Sequence, residues 1–145
     1  ARKPDQRWPA ERYAEFMNRL HAEQGARFML FWSPGDEDNP LHPGDDRKAA
    51  ALIAACHAPV LPWPTQTLRE LIDGLAACGS VVCSDGGAMH LAAALGKPIV
   101  CCFGSSDPVR WHPWAVSHRI LRTDSRTVGD ITVDAALAAW KGLCP

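Results

Sequence analysis

The stretch Val81–Gly104, VVCSDGGAMHLAAALGKPIVCCFG, constrains the fold of this chain more than any other. Val81, Val82 and Cys83 form a short apolar run of the kind that makes a buried strand. Ser84-Asp85-Gly86-Gly87 breaks that run. Ala88 to Leu95 then reads as a short helix, with Gly96 as its stop and Pro98 just beyond. Ile99 to Phe103 is a second apolar run, closed by Gly104. A strand, a glycine turn, a helix and a strand in such close succession predict a βαβ unit with parallel strands.

The turn is where chemistry is expected. Two glycines at a strand-to-helix junction allow the backbone to take φ > 0 and a ligand to approach main-chain N–H groups. Those N–H groups are the unpaired donors of a helix start, and the helix dipole favours an anion there. Asp85 falls at the carboxyl end of a strand, where open α/β sheets place ligands; the bland alternative is that it only caps the helix. At 100° per residue, Ala88, Leu91, Ala92 and Leu95 share the face expected to pack on a sheet. His90 falls opposite, one turn from Gly87, which makes it a candidate ligand-binding side chain rather than an interior histidine.

The rest of the chain alternates in the same way. Helices are expected from Pro9 to Gln24, from Asp45 or Asp46 to about Cys56, after Thr65 or Thr67, and from Asp130 to Leu143. Thr67 and Glu70 make a capping-box pattern. Strands are expected at Arg27–Trp32, buried because both faces are apolar, at Val60–Trp63, demoted to a sheet edge by its proline, and from His118 to Arg122. Alternation of this kind predicts one Rossmann-like, three-layer αβα domain over residues 1–145, with a parallel sheet covered on both sides.

Two loops join the glycine turn as site candidates, because each follows a strand's carboxyl end. Ser33–Asp46 is long, polar and rich in proline, and a loop of that length is usually functional or mobile. Ser105–Pro113 carries Ser106, Asp107 and Arg110, which can bond hydroxyls or a diphosphate. Trp111 and Trp114 are read as loop anchors rather than stacking platforms.

Composition narrows the class. A 145-residue chain with 47% hydrophobic and 21% charged residues is large and apolar enough for a real core. A net charge of −1 gives no pull toward nucleic acid. No apolar run approaches the length of a spanning helix, and the N-terminus lacks a signal-peptide pattern. Six cysteines without a Cys-x-x-Cys pair suit a reduced, cytoplasmic protein, and no metal-ligand spacing is seen. The first residue is Ala1, not Met, which suggests a piece of something longer.

Asp85-Gly86-Gly87-Ala88-Met89-His90-Leu91-Ala92-Ala93-Ala94-Leu95-Gly96-Lys97-Pro98, followed by Phe103-Gly104-Ser105-Ser106-Asp107-Pro108 and Trp111, resembles the signature of glycosyltransferase family 9, the lipopolysaccharide heptosyltransferases. The family pattern is Asp-Thr-Gly-x-x-His-Leu-Ala-Ala-Ala, then Phe-Gly-Pro-Thr-Asp-Pro and a Trp. Gly86 stands where the family has Thr, and Ser105-Ser106 replaces Pro-Thr. Near the N-terminus, Gln6 takes the place of a Lys that helps to hold the donor diphosphate, with Arg7 and Lys3 nearby as substitutes.

The resemblance implies one half of a GT-B fold, lacking its first strand, that binds a nucleotide-sugar donor, typically ADP-heptose. It places Asp85, Gly86, Gly87 and His90 around the diphosphate, and Asp36 or Glu37 on the ribose. Ser106, Asp107 and Arg110 join them. It also implies an inverting transfer without metal or cofactor to an inner-core lipopolysaccharide acceptor, by a cytoplasmic protein or one peripheral to the inner membrane. The general base lies in another domain, so the fragment is expected to be inactive. An exposed sheet edge is expected to make it self-associate. Competing readings are a non-catalytic nucleotide-binding module and, more weakly, an NAD-dependent oxidoreductase, against which the missing G-x-G-x-x-G spacing argues.

Overall fold

The computed structural model describes residues 4–143, and Lys3 and Cys144 lie outside them. The chain divides into two compact units, one of residues 10–74 and one that joins the segment up to Pro9 to everything from Leu75 onward.

In the 10–74 unit, α1 (Ala10–Gln24) packs beside α2 (Asp46–Ala55). Its buried face is Ala14, Phe16, Met17 and Leu20, the spacing of an amphipathic helix, and Gly25 ends it at φ +67°. Strands β1 (Phe28–Trp32) and β2 (Val60–Pro64) pair in parallel, Phe28 opposite Val60 through Trp32 opposite Pro64. The burial expected of β1 is not found: all five residues are half-exposed. Among the described residues β1 pairs with β2 alone, so an apolar sequence on both faces is not enough to enclose it.

Helix α3 (Leu68–Ala77) begins with the capping box read from the sequence. Glu70 Oε2 accepts from the N–H groups of Gln66 and Thr67 at 2.8 and 2.9 Å, and Thr67 Oγ1 accepts from Glu70 N at 3.3 Å. The helix comes very close to the strands. A methyl group at Gly74 would lie 2.4 Å from the Phe31 ring and 2.9 Å from the Trp63 indole nitrogen. That glycine is required by contact, not by backbone angle.

One polar side chain holds this unit's turns together. Asn18, on α1, accepts from His57 N at 2.6 Å and Ala58 N at 3.0 Å, and donates to Ala55 O at 3.2 Å. It thereby satisfies backbone groups at the end of α2 and on the approach to β2, where no helix or ladder bond is available.

In the second unit, β3 (Val81–Ser84), β4 (Ile99–Cys102) and β5 (His118–Leu121) form a parallel sheet in the order β3-β4-β5. The central strand β4 is buried along its whole length, as its continuous apolar sequence requires. Helix α4 (Gly87–Ala94) follows β3, α5 (Pro108–Trp111) follows β4, and α6 (Val133–Lys141) ends the chain. The C-terminal helix starts later than Asp130, because Val128–Asp130 forms a 3-10 turn and Thr132 Oγ1 caps α6 by accepting from Ala135 N. Trp8 closes the core from the N-terminal segment. Its side chain is buried and its indole N–H donates to Ile131 O at 2.9 Å.

The face of α4 that packs is turned relative to the one expected. Met89 and Ala92 are fully buried, whereas Ala88, Leu91 and Leu95 are only half-buried. The helix closes with a paired stop: Gly96 at φ +71° donates to Ala93 O, and Lys97 N donates to Ala92 O.

The Asn18 contacts yield a stability prediction. Asn18→Ala leaves two N–H donors and a carbonyl without their partner, and should cost about 1–3 kcal/mol. Urea denaturation checks this: a midpoint within error of the unaltered protein would show that water replaces the side chain at no cost.

Candidate functional site

The parallel ladders bring three strand ends to one edge of the β3-β4-β5 sheet. Asp85 N donates to Cys102 O at 3.0 Å and Phe103 N to Leu121 O at 2.8 Å, so the pairing runs one residue past each strand. Asp85-Gly86-Gly87 and Gly104-Ser105-Ser106 are therefore held side by side, as the sequence pattern leads one to expect.

Asp85 does not cap α4. The cap position is Gly86, and no side chain bonds the helix start there. Nor does either glycine take a left-handed backbone: Gly86, at φ 161°, is extended, and Gly87 is not among the left-handed residues. Their value lies elsewhere. A Cβ on either would meet no atom within 4 Å, so the front of the helix start is open. No side chain caps the N–H groups of Gly87 and Ala88, at the positive end of the helix dipole, while Met89 N donates to Gly86 O at 3.1 Å.

The β4–α5 turn is more crowded. A Cβ at Gly104 would lie 3.1 Å from Arg126 O and 3.3 Å from Asp5 O, so the N-terminal segment lies directly over it. That same segment brings Gln6 to Ser106, where the amide Nε2 donates to Oγ at 3.1 Å. Two of the three departures from the family pattern, Gln6 and Ser106, thus touch each other. Arg122 also reaches this turn, donating from Nε to Gly104 O at 3.2 Å. Nothing in the sequence marked Arg122, because the residue contributes through a strand end that only the sheet order brings near.

Asp107 has a structural task. Its Oδ1 accepts from Val109 N at 2.9 Å and caps α5, with Pro108 at the first helical position. The short helix then presents Arg110 and Trp111. The Arg110 guanidinium carbon lies 5.3 Å from the centre of the Trp111 indole, and the exposed imidazole of His90 meets the same indole edge-on at 6.4 Å and 64°. Trp114 stacks on His112 at 4.9 Å, and His112 stacks on His118 at 5.4 Å.

The thiols beneath the turn are core groups. Cys83 and Cys101 are register partners on β3 and β4, and Cys101 Sγ donates to Met89 Sδ at 3.1 Å. The hydrogen bond with Cys83 and then burial push the Cys101 thiol far above its ordinary range; burial pushes Cys102 up to about 12. Both stay neutral at physiological pH, which is the condition of inert interior cysteine rather than of a nucleophile.

Asp36 and Glu37 lie in the other unit, on the Ser33–Asp46 loop, which is cross-linked by hydrogen bonds. Trp32 Nε1 donates to Asp46 Oδ1 at 2.7 Å and Gly35 N to Asp46 Oδ2 at 2.9 Å, so Asp46 ties both ends of the loop together. Gly44 packs against Gly35 so closely that a Cβ there would overlap the Gly35 carbonyl. Glu37 pairs with Lys48 at 3.1 Å and Arg47 at 3.7 Å, while Asp36 pairs with Arg47 at 3.7 Å. Neither carboxylate is chosen over the other by these contacts.

A cleft of about 140 Å³ beside the sheet edge is lined by Arg122, Thr123, Asp130 and Thr132 among others. Ligand pockets that enclose a small molecule run to roughly 300–1,000 Å³, so this cleft is too small to enclose one. Among the described residues, no group of three or more His, Cys, Asp or Glu is placed to hold a metal, and no helix is long and apolar enough to cross a membrane.

A sequence model of glycosyltransferase family 9 (heptosyltransferase) matches residues 1–134. Over 120 residues the chain is 33% identical to lipopolysaccharide heptosyltransferase 2 of Salmonella typhimurium, covering 82% of this chain and 33% of that protein. The structure resembles that of Escherichia coli ADP-heptose LPS heptosyltransferase II with a TM-score of 0.80 and 28% identity, over 97% of this chain and 42% of that one. An Escherichia coli heptosyltransferase solved with ADP gives a TM-score of 0.80 at 25% identity, over 98% and 41%. The chain spans about a third of the length of the curated relatives it matches. The Rossmann-like α/β architecture is thus part of a GT-B fold.

The loop carrying Asp36 and Glu37 should be sensitive to acid in a defined direction. The Trp32 indole, then the Gly35 N–H, hold the Asp46 carboxyl below the ordinary aspartate range. A lowered folded-state pKa gives stability that is present above the unfolded value and lost as pH falls through the folded one. The Trp32 indole N–H resonance should therefore shift with a midpoint below that of an ordinary aspartate. In Asp46→Asn that transition should vanish. A midpoint above that value would contradict the bonding described.

Proposed function

The chain belongs to glycosyltransferase family 9, and we propose that its C-terminal unit binds the donor of a heptosyltransferase, a nucleoside diphosphate sugar of the ADP-heptose type. The observation that carries this reading is the open, uncapped start of α4 at Gly86-Gly87, with His90 and Arg110 near one indole beside it. When the glycosyl bond breaks, negative charge grows on the departing diphosphate. Fixed N–H donors and a helix dipole already aimed at that point stabilise the charge with little reorganisation.

In this reading Asp85, Gly86, Gly87 and His90 surround the diphosphate. Ser106, Asp107 and Arg110 act from the neighbouring turn. The sugar goes to an inner-core lipopolysaccharide acceptor, and the general base comes from a part of the full protein outside this chain. The segment by itself would then bind donor without transferring it.

One observation favours a second reading, a nucleotide-binding relative that has lost transfer. Gln6 is neutral where the family carries a lysine, and its amide is engaged by Ser106. Gly86 lacks the family hydroxyl. Transfer by the complete protein from ADP-heptose to a lipopolysaccharide core acceptor separates the two.

Calorimetric titration of the complete protein with ADP, with UDP and GDP as controls, tests the site. Asp85→Ala and His90→Ala should each weaken ADP by about tenfold, which corresponds to about 1.4 kcal/mol. Preference for UDP or GDP would move the donor, and absence of binding would overturn the reading. Gln6→Lys should tighten ADP by a few-fold and make binding more sensitive to salt, because it adds a cation beside the anion. Gly86→Thr should fold normally, since its Cβ meets open space and its backbone is extended. Should Gln6→Lys leave both affinity and salt dependence unchanged, position 6 does not face the diphosphate.

A further inference from the structure

We propose that Trp111 is a positioning residue that sets both His90 and Arg110 against the donor's diphosphate. This rests on the donor-binding reading above and adds to it a residue that itself contributes no charge. His90 belongs to the β3–α4 unit and Arg110 to the β4–α5 turn, and the indole is where the two meet.

The Arg110 contact is the more telling one. Adjacent residues on a helix point about 100° apart and do not face each other. The Arg110 guanidinium nevertheless lies 5.3 Å from the centre of the Trp111 ring. Its long stem must fold back, and the negative face of the indole rewards that with a cation–π contact. The imidazole of His90 takes an edge-on position at 6.4 Å and 64°, within the distance and arrangement that aromatic pairs prefer.

Trp111 is itself held. Its backbone N–H donates to Asp107 O at 3.0 Å, and the Asp107 carboxylate caps the turn it closes, so the residue's main chain is fixed in α5. It is 47% exposed, so packing of the core does not explain an indole at this place. Two flexible side chains are thereby ordered before an anion arrives. That removes part of the rotamer entropy their ordering would otherwise cost on binding.

The test uses the complete protein, with ADP and adenosine as probes and the His90 ring resonances as a ligand-free readout. Trp111→Ala should weaken ADP about tenfold and adenosine less than twofold, since only ADP presents the diphosphate. Trp111→Phe should recover most of the loss. In a His90→Ala/Arg110→Ala background, Trp111→Ala should have no further effect. Without ligand, Trp111→Ala should move the His90 resonances while leaving the urea midpoint unchanged.

Equal losses for ADP and adenosine would overturn the proposal and make Trp111 a base-stacking or general structural residue. An unmoved His90 resonance, or an undiminished effect in the double-variant background, would also overturn it. Failure of the unaltered protein to bind ADP would overturn the donor reading instead. The His90 resonance would still decide whether Trp111 holds the imidazole.

Discussion

The parallel pairing of β4 with both of its neighbours is the constraint on which the C-terminal unit depends. Ile99 to Phe103 is fully buried, so the strand has no freedom to slip: a shift of one residue would exchange its two faces. Fixed register in turn fixes where each strand ends. The turns after β3 and β4 then open at the same edge, and the residue after β5 reaches back to Gly104. Every candidate group in this unit is placed by that ladder.

Above the ladder, the site is assembled by contacts between polar side chains and backbone. Asp107 caps the short helix that carries Arg110 and Trp111, Gln6 bonds Ser106, and Gly104 makes room for the segment around Asp5. The start of α4 is left uncapped. Leaving backbone donors open at one helix start while capping the next is a pattern suited to an anion that is bound and released, because an internal oxygen at the first place would compete with it.

The 10–74 unit shows a different use of carboxylates. Asp46 and Glu70 each accept two bonds from N–H groups of neighbouring residues, and both are held below their ordinary pKa by them. Glu70 was readable in advance, because a capping box is a local pattern with its partner three residues away. Asp46 was not. The sequence offers it as a helix cap, but its carboxylate turns to Trp32 and Gly35 and joins the two ends of the long polar loop. Loop length alone carries no sign of those bonds.

What the sequence determined by itself is local or repeated along the chain. The alternation of apolar runs, the stops at Gly25 and Gly96, the capping box at Thr67 and the Asp85-to-Trp111 signature specify a parallel α/β fold and a family. They do so because periodicity and turn chemistry act over a few residues. Tertiary structure alone decided the rest. Asn18 bonding the residues before β2, Gly74 against Phe31 and Trp63, Gln6 on Ser106 and His90 against Trp111 join positions apart in the chain. It also reassigned the glycines at the turn. Their role is open space rather than a left-handed backbone, and whether a missing side chain serves the angle or the approach depends on what surrounds it.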